Sequence, residues 1–418
     1  MSMNSDIVVV GGGAVGLCTA WYLAEAGARV TVVDRMSVDE KASVGNAGML
    51  VPSHVVPLSA PGVVMKGLKM MMNASSPFQI APRADRSFLR WLWLFNRHAN
   101  RRHMAYGVPL LRDLSLKSVE LFQELCALEG LLGAGFAQTG LLNLYRGDAA
   151  MRDDLALADV AERAGLAIDR LDEDAVRALE PDIRVPIRGG VFYRQDASIH
   201  PEKFVVALAQ MLAARGVEFV DATAGGIDRS VGVVLDGAAA DGRRAIGGDR
   251  IVVAAGAWTP ALVKSLGLRL PVEPARGYSV TVREHDTSIR IPCVFTDEKI
   301  TITPMAGELR FTGTLTLTGF NREVQSRRAE PIRRLAQTYA GPSMAIEKPE
   351  MWSGFRPASP DGLPMIGLVP GTRNIYVATG HGMLGVTQAP VTGRMLSAMM
   401  GGPALDLDAE PYNPGRFG

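Results

Sequence analysis

The most constraining feature of this chain lies in its first 34 residues, where a buried strand, a glycine turn and a helix follow one another. Ile7-Val8-Val9-Val10 is apolar at every position, the pattern of a parallel strand covered on both faces. Gly11-Gly12-Gly13 interrupts it, helix formers run from Ala14 to Ala26, and Gly27 is placed to stop the helix. Arg29-Val30-Thr31-Val32-Val33 resumes as a strand and ends at Asp34. Gly11-x-Gly13-x-x-Gly16 thus falls in a βαβ unit, where each glycine has its own task. Gly11 allows a tight turn, Gly13 lets the backbone approach a pyrophosphate, and Gly16 lets helix and strand pack closely. The helix start, at Ala14 and Val15, offers free N–H groups and a positive dipole end to phosphate. Asp34 is placed to accept hydrogen bonds from a ribose diol. Arg35 suits a 2′-phosphate, which Asp34 would repel, so the motif alone leaves FAD and NAD(P) open.

The remaining chain favours FAD. Ile251-Val252-Val253-Ala254-Ala255-Gly256 is a second buried strand ending in glycine, near which another part of a flavin nucleotide can lie. Gly380-His381-Gly382-Met383-Leu384-Gly385 is suited to close backbone approach to a flat ring. Between these segments the pattern predicts a long helix over 108–130, two helices with acidic faces over 150–180, a helix over 202–215 and a strand over 217–220. From 278 to 317 short alternating runs such as Tyr278-Ser279-Val280-Thr281-Val282 predict a mainly antiparallel sheet. Parallel-type strands at both ends with an antiparallel block between them imply two interleaved domains, an α/β (α+β) architecture. A length of 418 residues agrees with two to three domains.

Composition excludes several classes of function. The chain carries 44 Lys+Arg against 43 Asp+Glu, a balance that argues against a nucleic-acid-binding surface. Cys18, Cys126 and Cys293 stand far apart and the six histidines lack ligand spacing, so neither a disulfide framework nor a metal site is expected. No run of about 18 apolar residues predicts a membrane span, and no basic region precedes the first apolar run, so the cytoplasm is the expected location. One segment suggests peripheral contact with the inner face of a membrane: Trp91-Leu92-Trp93-Leu94-Phe95 amid Arg83, Arg86, Arg90, Arg97, Arg101 and Arg102. A core helix with a solvated basic face is the alternative.

The sequence resembles the FAD-dependent D-amino acid oxidase superfamily, and most closely the bacterial D-amino acid dehydrogenases. The motifs are Thr19-Ala20-Trp21-Tyr22-Leu23, Asn46-Ala47-Gly48, Ala60-Pro61-Gly62-Val63, Arg276-Gly277-Tyr278-Ser279, Thr318-Gly319-Phe320-Asn321, Gly354-Phe355-Arg356-Pro357 with Pro360-Asp361-Gly362, and Thr379-Gly380-His381-Gly382. The resemblance implies a discontinuous Rossmann-like FAD-binding domain, assigned to 1–60, 190–270 and 350–418, and a substrate domain over 61–189 and 271–349. It implies oxidation of a free D-amino acid, cyclic ones of the proline or hydroxyproline type included, with electrons passed to an acceptor such as a membrane quinone. Two alternatives stand beside it: an oxygen-using glycine or sarcosine oxidase, and a non-catalytic flavin subunit of an electron-transfer complex. Thr316, where dehydrogenase-type relatives often carry an acid, and Asp196-Ala197-Ser198-Ile199-His200-Pro201 depart from the family pattern.

Hydride transfer from Cα needs a neutral amine, a fixed carboxylate and a dry site rather than a catalytic triad. Arg356 is the first candidate for the carboxylate, because its planar fork binds one bidentately; a structural ion pair is the alternative. Tyr278 is expected to donate to the same carboxylate. His54 is placed near the substrate entrance and His381 beside the flavin, while His200 reads as structural before Pro201. Asn46, Gly48, Gly256, Gly380, Gly382 and Met383 join Gly11, Gly13, Ala14, Val15, Gly16, Asp34 and Arg35 as the expected cofactor set. None of the cysteines lies in a motif for covalent attachment, so the FAD is expected to be non-covalent.

Overall fold

A computed structural model describes residues 4–35, 37, 41–62, 78–80, 83, 85–283, 285, 287–320, 326–340 and 350–417. Val63 and Asn321, each the last residue of a family-like motif, lie outside them. The expected βαβ unit is present: strand Asp6–Val10, helix Ala14–Glu25, strand Arg29–Asp34. These build a six-stranded sheet in the order 365–368, 375–379, 250–253, 6–10, 29–34, 218–221. It is parallel except for its 365–368 edge, which runs antiparallel to 375–379. Continuous apolar runs suit this position, since Ile7, Val9, Val32, Val252 and Val253 are fully buried. Helix 14–25 packs on the helix Ala389–Met399, where Gly393 has no room for a Cβ against the Cys18 backbone.

The second layer is a nine-stranded, mainly antiparallel sheet in the order 350–358, 273–282, 308–317, 300–305, 293–295, 141–145, 189–193, 168–172, with 78–80 also paired to 308–317. The strands Gly189–Tyr193 and Glu350–Ala358 hydrogen-bond in this larger sheet, although both begin near the expected start of a cofactor segment. Alternation sets the two faces of its central strands. Tyr278, Val280, Val282, Leu309 and Phe311 enter a core with Ile332 and Ala336 of the helix Ser326–Ala340. Ser279, Thr281, Arg310 and Thr312 occupy the other face, and Thr312 lines the cleft above the six-stranded sheet.

Two segments differ from expectation. The span 150–180 holds helix Asp148–Arg163, strand Ile168–Asp172 and helix Glu173–Leu179 rather than two helices. The strand lies at the sheet edge, where Asp169, Arg170 and Asp172 face solvent and imitate a charged helix surface. The long helix runs Arg101–Cys126, with Pro109 inside it. The proline resembles a helix start, but Asn100 caps the chain earlier, its side chain accepting from His103 N at 3.0 Å.

Candidate active site

The carboxyl ends of the parallel strands open into a cleft of about 490 Å3 whose opposite wall is the 352–357 segment. This is the position where open α/β sheets bind nucleotides. At Gly11, with φ 113°, a Cβ would lie 2.5 Å from the Ala254 carbonyl oxygen, and a Cβ at Gly16 would overlap the Gly11 carbonyl. Gly16 therefore shapes the turn from beneath, while Gly11, Gly13, Ala14 and Val15 line the cleft. Gly12 N donates to Asp34 Oδ2 at 2.7 Å, and Lys41 Nζ pairs with Asp34 Oδ1. Ala14 N donates to Ser43 Oγ at 3.0 Å. A helix start built from Gly13 and Ala14, with an acid at the end of the second strand, fits the adenosine diphosphate half of FAD. The cleft continues past Gly256, Trp258, His381, Gly382 and Met383 toward the antiparallel sheet, which suits the flavin half.

Arg356 stands in the far wall. Its guanidinium lies on bare backbone: a Cβ at Gly277 would meet Arg356 Nη2 at 2.6 Å, Cζ at 2.8 Å and Nε at 2.9 Å. Desolvation pushes Arg356 down to about 10, which leaves it cationic at neutral pH. No carboxylate pairs with it among the described residues. The strand end beyond it is held by Trp91, whose Nε1 donates to Ala358 O at 2.9 Å, and by the Arg83–Glu273 ion pair on the neighbouring strand. A held guanidinium without a counter-charge is suited to an anion that arrives from solvent.

The other expected site residues divide. Asp34, Arg35, Asn46, Gly256, His381, Gly382 and Met383 line the same cleft as Arg356. Tyr278 also borders it, but the register pairs Tyr278 with Ser353 and Arg356 with Ala275, so the two side chains leave opposite faces of the sheet. The Tyr278 ring lies in the hydrophobic core, 5.2 Å from the Arg276 guanidinium. His381 Nε2 lies 3.0 Å from Thr392 Oγ1, which donates to Gln388 O at 2.7 Å, so the imidazole is the donor of its pair. Burial holds His381 down at about 3 and therefore neutral. His54, also neutral with burial holding it at about 4, lies outside the cleft lining. Gly48 and Gly380 are outside the cleft lining, each next to a segment that contributes to it. Gly48 N donates to Asn46 Oδ1 at 2.6 Å, and Gly380, with φ 78°, makes the turn into His381.

The two departures from the family pattern lie outside the cleft lining. Asp196 is fully enclosed and accepts from Ser53 N at 3.0 Å and from Ser53 Oγ; desolvation pushes its carboxyl up to about 7. His200 caps the helix Pro201–Ala214. Thr316 is buried opposite Arg276. Sequence reasoning missed Ser43, Lys41, Arg310 and Trp352. Arg310 Nη1 donates to Val44 O at 2.7 Å and Asn46 O at 3.2 Å, tying the antiparallel sheet to the cofactor loop. Its alternation with Leu309 and Phe311 marked it as facing away from the core, but not what it faced.

The chain matches the family model described as FAD dependent oxidoreductase over residues 6–399. It is 34% identical, over 98% of its length and 95% of the relative's, to a D-amino acid dehydrogenase of Cereibacter sphaeroides. In fold it is similar to glycine oxidase from Geobacillus kaustophilus, with a TM-score of 0.75, 24% identity and 99% of both chains covered. It is also similar to L-proline dehydrogenase from P. horikoshii, with a TM-score of 0.68, 18% identity, and 100% and 95% covered. The chain belongs to the FAD dependent oxidoreductase family. It is an enzyme, and its cofactor is FAD.

Proposed function

We propose that the protein dehydrogenates free D-amino acids, cyclic ones of the proline type included, and passes the electrons to an acceptor other than oxygen. The observation that carries this reading is the Arg356 guanidinium, desolvated in the cleft wall with no carboxylate on it among the described residues. The 34% identical D-amino acid dehydrogenase supports the choice of substrate. FAD, when bound, supplies the hydride acceptor. Arg356 binds the substrate carboxylate and so fixes where Cα–H points. His381 and Gly382 line the cleft with a glycine-bearing backbone, which would allow close approach to the flavin ring. His381, neutral and tied to Thr392, serves as packing. The sheet face bearing Ser279 and Thr312 closes the site against water.

An anaerobic panel of D- and L-amino acids, followed by the visible flavin band of the holoenzyme, tests this. Bleaching by D-amino acids and not by their L-enantiomers is expected; bleaching by L-forms alone overturns it. Hydrogen peroxide release with glycine or sarcosine would favour an oxidase instead.

We also propose that the acceptor is a membrane quinone reached at a bilayer surface. No helix among the described residues is long and apolar enough to cross a membrane. Leu89, Trp93 and Tyr106 are more than half exposed beside exposed Arg86, Arg97, Arg101 and Arg102. That combination suits an anionic lipid interface. Co-sedimentation with anionic but not neutral vesicles, abolished by Trp93→Glu, is the expected result.

A further inference from the structure

Arg356 and Trp352 stand on the same face of one strand, with Gly354 between them. Neither side chain stands upright. The Arg356 guanidinium leans over Gly277, where a Cβ would be 2.6 Å from Nη2. The six-membered edge of the Trp352 indole leans over Gly354, where a Cβ would overlap it. Gly277 and Gly354 are register partners on adjacent strands, and directly opposed residues lie about 5 Å apart. The cation and the aromatic edge therefore converge on one pair of glycines. The ring-fusion end of the indole is covered by Gly45, whose Cβ would also overlap it. Gly45, Trp352, Gly354 and Arg356 all line the cleft. Three glycines, on three segments distant in sequence, leave room for one large ring beside one guanidinium.

We propose that Trp352 is the specificity-determining residue of this site, and that it selects compact amino acids, proline-like rings above all. This rests on the reading of Arg356 as the carboxylate anchor. A carboxylate gripped by Arg356 has its Cα within a few ångströms of the indole edge, so the substituent on Cα meets Trp352. A five-membered ring or short aliphatic chain fits against the indole, whereas a fused or extended aromatic chain collides with it. Because Gly45 backs the indole, the ring has no backbone-free space into which to retreat. Residues further along the strand are too distant to act in this way.

Flavin absorbance of the holoenzyme, titrated with two acids that cannot be oxidised, reports the selection without turnover. Pyrrole-2-carboxylate represents the compact ring and indole-2-carboxylate the fused one. Wild type is expected to bind the first at least about 10-fold more tightly, the order of discrimination one hydrophobic pocket wall gives. Trp352→Ala is expected to shrink that ratio about 10-fold or invert it, with D-tryptophan gaining kcat/KM relative to D-proline. Trp352→Phe keeps a ring and should shift the ratio by about 3-fold; it decides the matter if the alanine variant fails to hold FAD. Ratios unchanged in a variant that still binds FAD would overturn the assignment. Arg356→Lys separates the two readings, because it should weaken both acids together and leave their ratio intact. If it weakens neither, the carboxylate anchor fails; if it weakens both while Trp352 variants leave the ratio unmoved, only the selector fails.

Discussion

At the Asp34 end of the cleft the charge is already matched: the carboxylate accepts from Gly12 N–H and pairs with Lys41. At the Arg356 end a guanidinium lies on the bare backbone of Gly277, with no carboxylate on it among the described residues. The first end has its charges paired within the chain, which on the proposed reading leaves a neutral diol and a diphosphate to be met largely by backbone. The second end lacks one charge and needs it from outside. Arg356 is only partly buried in the cleft wall, and a partly desolvated cation with no carboxylate on it is suited to a ligand that supplies the anion. On the proposed reading, one end holds what stays bound and the other receives what is turned over.

The largest effect is expected from filling the cofactor end. Gly16→Val drives a side chain into the Gly11 carbonyl and should leave a colourless protein, with FAD affinity reduced at least about 100-fold if overpacking costs about 3 kcal/mol. Flavin fluorescence titration of the apoprotein measures it. Next comes the receiving end: Arg356→Ala should lower kcat/KM by about 2–5 kcal/mol, the cost of losing one partner of a desolvated ion pair, while FAD affinity stays within a few-fold. If instead FAD is lost and kcat/KM per bound flavin is unchanged, the division between the ends is wrong. Asp34→Asn removes a charged acceptor and should weaken FAD binding by about 1–2 kcal/mol, with little effect on substrate discrimination.

The smallest effect concerns a buried carboxyl outside the cleft lining. Asp196 titrates near 7 in the folded chain because burial disfavours its charge, against about 3.9 when unfolded. Between these values the folded state binds the extra proton. Stability contributed by this group is therefore present at pH 4 and is lost as pH rises toward 7. Urea unfolding at pH 5 and pH 8 should reveal that loss, and Asp196→Asn should flatten it. A stability that rises over the same window in wild type and falls in the variant would refute the assignment.

The same contrast separates what the sequence made legible from what it hid. Gly11, Gly13, Gly16 and Asp34 belong to one short βαβ unit, so local pattern placed them correctly in the fold. Arg356 and Gly277 are far apart in the chain and meet only through strand register. Tyr278, one residue from Gly277, was expected beside Arg356 and lies across the sheet from it, because alternation sends neighbours to opposite faces. Trp352 carried no signal in isolation: its role depends on Gly45 and Gly354, which make space only once folded. Lys41 and Ser43 lie in a glycine- and serine-bearing loop whose path no periodicity describes.

On the proposed reading, Arg356 awaits a substrate carboxylate. Anaerobic flavin reduction by D-proline and by D-prolinamide, which differ in that one charge, tests it in wild type and in Arg356→Ala. Wild type should be reduced at least about 100-fold more efficiently by the acid, and the preference should collapse in the variant. An undiminished preference for the acid without Arg356 would contradict it.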